Sequence, residues 1–166
     1  MKEELWVDEF SEAWAREYPE TDTSGMLLIA RLVRLTVLVA GFERETLLPF
    51  DLTPSDYAVL AALRRVGAPY TLAPNELYTA LDRSSGGMTK MLKRLEALGL
   101  VRRIKNRADK RSKLVRLTAA GKRVEEQVFE AFLARAHEML HGSSDLEMIN
   151  ESVQRLTTII EAGSNP

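Results

Sequence analysis

The chain has 166 residues, 45% hydrophobic and 28% charged, with a formal net charge of −1 and no cysteine. This is an ordinary soluble composition, enough for one domain or two small, closely packed lobes. The lack of cysteine excludes disulfides, thiolate metal sites, thiol nucleophiles and thiol-based redox sensing.

Residues 3–17 place Trp6, Phe10, Ala13 and Trp14 at helical spacing, which predicts an additional N-terminal amphipathic helix within residues 1–18. The first residues, MKEELWVDEF, are acidic and lack the basic-then-apolar order of a signal peptide, so a cytoplasmic location is expected. Pro19 and the polar run Glu20–Ser24 separate this helix from a longer one over residues 25–48. The apolar-rich run Met26–Phe42 is interrupted by Arg31 and Arg34, and is expected to be too short and too charged to span a bilayer. It is apolar around more of its circumference than one core contact needs, which predicts a central helix or one shared with a partner.

Thr53-Pro54-Ser55-Asp56 signals a helix start, with Thr as N-cap, Pro at the first helical position and an acid at the third. That helix should run to about Val66 and stop at Gly67. Tyr70-Thr71-Leu72 fits a short strand, and Pro74 opens a short helix through Leu81. Ser84 or Ser85 caps the next helix, which Gly99 ends. Val101–Lys105 and Lys113–Leu117 read as two strands around a polar tip, Asn106–Arg111. Thr118 caps a long helix that Gly142-Ser143-Ser144 breaks, and Ser144-Asp145-Leu146-Glu147 reads as a capping box for a last helix to about Ala162.

Charge is distributed unevenly along this order. Residues 82–123 hold fourteen Lys/Arg against three acids, a balance of +11, whereas the remainder holds nine bases and twenty-one acids, or −12. Clustered cations of this kind are the electrostatic footprint of nucleic-acid binding. They fall on a helix–helix–hairpin succession, the winged helix-turn-helix arrangement, whose second helix enters a major groove. At 100° per residue, Met88, Met91, Leu92, Leu95 and Leu98 share one side of that helix. Gly86, Thr89, Lys90, Lys93 and Ala97 share the other. Small residues allow close approach to DNA, Thr89 can bond base edges, and Lys90 can reach guanine O6/N7 or a phosphate. The hairpin adds Arg102, Arg103, Lys105, Arg107, Lys110, Arg111, Lys113 and Arg116, with Asp109 as its sole acid. Eight cations in fifteen residues imply an anionic partner rather than a merely protected edge strand. Asp109 can orient Arg111 toward a narrow minor groove.

One motif points elsewhere. His137-Glu138-Met139-Leu140-His141 spells H-E-x-x-H, the pattern of helical zinc-hydrolase sites. A catalytic zinc needs a third protein ligand, and the chain has no third histidine and no cysteine. Metal binding or hydrolase use of this pair, and use of the winged helix for protein contact alone, stand as alternatives. The leading expectation is a non-enzymatic regulator without a cofactor.

The run Leu95-Glu96-x-x-Gly99-Leu100-Val101-Arg102-Arg103, followed by Asp109-x-Arg111, Leu117-Thr118 and Gly121, resembles the MarR family of bacterial transcription factors, and the likeness extends over residues 25–162. The resemblance implies a mainly α fold with a small β-hairpin wing: a winged helix-turn-helix DNA-binding lobe at 53–118 plus a helical dimerisation region at 25–50 and 119–162. It implies a homodimeric, sequence-specific regulator of double-stranded DNA, a repressor acting on a pseudo-palindromic operator and released by a small aromatic or anionic ligand. By position, Ser85, Gly87, Thr89, Lys90, Lys93 and Arg94 belong to the reading helix. Arg111 matches a minor-groove arginine oriented by Asp109, and Arg103, Lys105, Arg107, Lys110 and Lys113 match backbone contacts. The extra helix resembles that of the family's urate-responsive branch, with Trp14 and Arg65 at matching ligand-pocket positions. That branch's acidic pocket residue falls at Ala58, with Asp56 as a substitute, and its pocket arginine falls at Met91. These departures favour a more apolar aromatic effector over urate.

Overall fold

The computed structural model describes residues 5–81, 85–106 and 113–164. The elements in chain order are α1 (Leu5–Glu17), α2 (Ser24–Leu47), a 3₁₀ turn (Leu48–Phe50), α3 (Pro54–Arg65), β1 (Thr71–Leu72), α4 (Pro74–Leu81), α5 (Ser85–Ala97), β2 (Val101–Lys105), β3 (Lys113–Leu117), α6 (Ala119–Leu140) and α7 (Leu146–Ser164). The fold is mainly helical with a small antiparallel sheet, as expected. The hairpin acquires a third strand: β1 pairs with β3, giving the order β1-β3-β2. The Asn106–Arg111 tip lies, from residue 107 onward, outside the described residues.

The α3 start follows its sequence signal closely. Thr53 Oγ1 accepts from the Asp56 N–H at 3.1 Å, and Asp56 Oδ2 accepts from the Thr53 N–H at 3.0 Å, a reciprocal capping box. At the end of α5, Gly99 takes φ +70°. Its N–H donates to Glu96 O at 3.0 Å, and the Leu100 N–H donates to Leu95 O at 3.0 Å. These two bonds define a Schellman turn, which needs a left-handed residue that glycine adopts without a Cβ penalty. The last helix begins one residue later than the Ser144 cap reading. Its first helical bond runs from the Ile149 N–H to Asp145 O at 2.9 Å, so Asp145 takes the cap position.

The described residues divide into two compact units, Met1–Glu130 and Ala131–Pro166. Among the described residues, every buried apolar side chain lies in the first unit, with Leu47, Leu60, Leu63, Leu77, Met88 and Leu95 fully enclosed. In the second unit no described apolar residue is buried, and Leu133, Met139, Met148 and Ile159 are each more than half exposed.

Within the first unit α1 packs on α2, yet most of α2 stays uncovered, including Ile29, Val33, Val37 and Val39. By length and composition the stretch Ser24–Phe50 is sufficient to cross a bilayer. The helix is longer than the Met26–Phe42 run, but its continuation adds Glu43, Arg44 and Glu45, and the central helix of a soluble protein passes the same test.

Candidate nucleic-acid interface

Three faces of α5 have different tasks. Met88, Leu92 and Leu95 are 0–1% exposed and key the helix into the core. Thr89, Lys90 and Lys93 are exposed on the opposite side, in agreement with the helical pattern, and Gly87 is exposed on the flank. Ser85 is the first residue of the helix.

Arg94 occupies the third face and is committed to protein. Its Nε donates to Asp56 Oδ2 at 3.2 Å, and its Nη2 donates to Asp51 O at 2.6 Å and lies 3.2 Å from Asp51 Oδ2. The hydrogen bond to Asp56, reinforced by the charges of Asp51 and Asp56, pushes the guanidinium pKa up. Asp51 itself sits at φ 52°, a left-handed corner that Asp tolerates better than most residues. Arg94 therefore fixes the reading helix to the corner and cap that precede α3. Its sequence assignment to the DNA-contacting set overlooked these two acids, which lie 43 and 38 positions upstream.

Arg103 is likewise engaged, its Nε 3.2 Å from Glu96 Oε2 on α5, with both side chains about one-third exposed. This bridge ties the wing to the reading helix. Strand register places Lys105 opposite Lys113 and Arg102 opposite Arg116. Arg116 donates to Thr71 Oγ1 at 2.8 Å, which joins β1 to the sheet. Lys105 and Lys113 are exposed at the last described position before the tip. Like charges directly opposite each other destabilise a strand pair, so this arrangement is relieved when an anion lies across it. Arg107, Asp109, Lys110 and Arg111 lie outside the described residues.

The wing base is joined to α6 through Thr118. Its N–H donates to Leu100 O at 3.0 Å, its hydroxyl donates to Gly99 O at 2.7 Å, and the same oxygen accepts from the Gly121 N–H at 2.9 Å. Nearby, the Tyr70 ring meets two cations, with Arg64 Cζ at 5.3 Å and Lys122 Nζ at 4.4 Å from its centroid. Arg64 also bridges the buried Glu125 at 3.3 Å. Burial nevertheless pushes the Glu125 carboxyl up, against the opposing effect of Arg64.

A cavity of about 200 Å³ is lined by Glu43, Pro54, Ser55, Ala58, Leu81 and Met91. Ala58 and Met91, the two positions that depart from the urate-responsive pattern, meet there. Trp14 and Arg65 are not among the lining residues. Trp14 stacks on Tyr18 at 5.5 Å and meets Phe10 edge-on at 6.0 Å, while Arg65 is exposed. Asp56 does not serve as a substitute pocket acid, being 1% exposed and occupied by Thr53 and Arg94.

A capped support helix, a reading helix with an exposed small-and-cationic face, and a basic three-stranded wing define a winged helix protein. Residues 50–112 match the model of the MarR family. The transcriptional regulator PecS of Dickeya dadantii is 31% identical over 147 residues, covering 89% of both chains. The multiple antibiotic resistance protein MarR of Escherichia coli is 35% identical over 96 residues, 58% of this chain and 65% of that one. A solved structure of mutant E. coli MarR complexed with operator DNA superposes with TM-score 0.66 at 26% identity, covering 82% of this chain and 99% of the other. The chain belongs to the MarR family and is a DNA-binding transcriptional regulator.

Proposed function

We propose that the protein is a homodimeric repressor that reads a pseudo-palindromic operator and releases it on binding a small aromatic ligand. The observation that carries the reading is the exposed face of α5, which presents Thr89, Lys90 and Lys93. The helix enters a major groove with this face toward the bases. Lys105 and Lys113, with Arg107, Lys110 and Arg111 beyond them, hold the flanking phosphates and minor groove, Asp109 orienting Arg111. Arg94 and Arg103 act from behind, by fixing the helix and wing in place.

Dimerisation is supported by the uncovered apolar side chains of α2 and of the 131–166 unit. A helical pair without a buried core of its own needs a partner surface to be stable. A second copy supplies that surface through residues 25–50 and 119–162, leaving the 53–118 lobes to address two half-sites. The cavity at Ala58 and Met91 suits the effector, because Met91 belongs to the reading helix. Its 200 Å³ volume exceeds the roughly 150 Å³ cavity known to admit benzene. The lining contains one acid, Glu43, and no base, which favours an uncharged aromatic ring over an anion.

Selection of bound sequences from random duplex DNA by the full-length protein tests this reading. Recovery of an inverted repeat with half-sites about 10 base pairs apart is expected, with enrichment lost when the right aromatic compound is added. Recovery of unenriched sequence, or of single half-sites by a monomer, overturns it.

A further inference from the structure

We propose that His137 and His141 form a two-imidazole site for a late first-row divalent cation, zinc or copper, at the end of α6. The two residues lie one turn apart, and their ring centroids are 5.8 Å apart with planes at 81°. A metal bound through one nitrogen of each ring, at about 2.0–2.1 Å, lies about 3.2 Å from each ring centre, so a tetrahedral angle sets the centroids about 5.2 Å apart. The observed spacing is within reach of that value by side-chain rotation alone.

On the single chain both rings line a groove of about 560 Å³, walled largely by Leu133, Ala136, Leu140 and Leu146, within the region through which the second copy is proposed to pack. It has room for an ion with water in its remaining positions. Among the described residues, no group of three or more His, Cys, Asp or Glu could hold a metal. The site is therefore a two-point clamp and lacks the three protein ligands of a zinc hydrolase. Imidazole nitrogens favour zinc, nickel and copper, with copper bound most strongly, and give magnesium and calcium no oxygen donors. The clamp links positions 137 and 141 just before Gly142, whose φ of +87° ends the helix. Metal binding thus staples the last turn of α6.

The test is titration of tag-free, full-length protein with Cu²⁺ and Zn²⁺, with Mg²⁺ as control, followed by calorimetry and by copper electron paramagnetic resonance. These are the chain's two histidines, so imidazole nitrogen coupling to copper reports on them alone. One ion per chain is expected, bound more tightly for Cu²⁺ than for Zn²⁺, with no Mg²⁺ binding. His137→Ala and His141→Ala, both at exposed positions, should each weaken binding at least tenfold while leaving the circular dichroism spectrum unchanged. Slower amide exchange over residues 138–143 should accompany metal binding. Absence of saturable binding, or stoichiometric binding retained by the double variant, overturns the proposal.

Discussion

Replacing Gly121 by alanine adds one carbon where α6 meets the α5–β2 turn. The added Cβ would overlap the Leu100 carbonyl oxygen and come within 2.9 Å of the Leu100 carbon and 3.2 Å of Leu117 Cδ2. The obstacle is backbone, and the same carbonyl accepts the Thr118 N–H. Relief therefore requires a shift of about 1 Å that strains or breaks this junction. Overpacking costs about 1–3 kcal/mol, and each weakened hydrogen bond about 1 kcal/mol more. The better helix propensity of alanine offsets about 1 kcal/mol. A net loss of about 1–3 kcal/mol corresponds to a Tm lower by roughly 2–12 °C in a chain of this length. Differential scanning calorimetry at fixed protein concentration checks it. Gly163→Ala is the control, since a Cβ there meets nothing within 4 Å. A Gly121→Ala protein melting within 2 °C of wild type, or alongside the control, would refute the close-approach argument.

Three further outcomes are expected. Arg94→Ala should lower stability in urea unfolding, because Asp56 keeps its Thr53 bonds but loses its cationic partner; operator affinity should fall with it, and unchanged stability would remove Arg94 from its anchoring role. Lys105→Ala should leave stability equal or higher by relieving the Lys113 repulsion, while DNA binding weakens and the log–log salt slope loses about one unit per chain; an unaltered slope would count against wing–phosphate contact. Glu125 has a raised folded-state pKa, so the native state takes up its proton before the unfolded state does as pH falls. Its carboxylate costs stability at neutral pH, and this cost is relieved as pH drops through the folded-state value toward the unfolded 4.5. The stability of wild type relative to Glu125→Gln should therefore rise from pH 7 to pH 4.5, and a fall would contradict the shift.

Local chemistry made much of this fold legible. The Thr53 cap, the Gly99 stop, the Thr118 start and the two long strands each depend on residues close in sequence, and each is found where its signal lies. The β1–β3 pairing was not legible, because a two-residue strand has too little pattern to name its partner 45 positions away. The same limit applies to the cations. Family likeness groups Arg94 with Lys93, although the helical pattern puts only Lys93 on the exposed side, and what engages Arg94 is Asp51 and Asp56, brought near by folding. Arg103 is similarly distinguished from Lys105 by Glu96. Trp14 and Arg65 were placed by likeness to a family branch, and pocket-lining geometry depends on packing that likeness does not transmit.

The separation of α5 into a core face, an anchoring face and an exposed face bears on how such a regulator changes its target. Thr89, Lys90 and Lys93 are exposed, whereas the Met88-Leu92-Leu95 row is buried and Arg94 is bonded to Asp51 and Asp56. Exchanges among side chains at such exposed positions generally alter stability by within about 0.5 kcal/mol. Under the proposed reading role of these side chains, operator preference can drift, or be redesigned, by small steps that do not risk the fold. Exchanges at Arg94 carry that risk. A duplicated copy of this gene could acquire a new operator while its scaffold stays under unchanged selection.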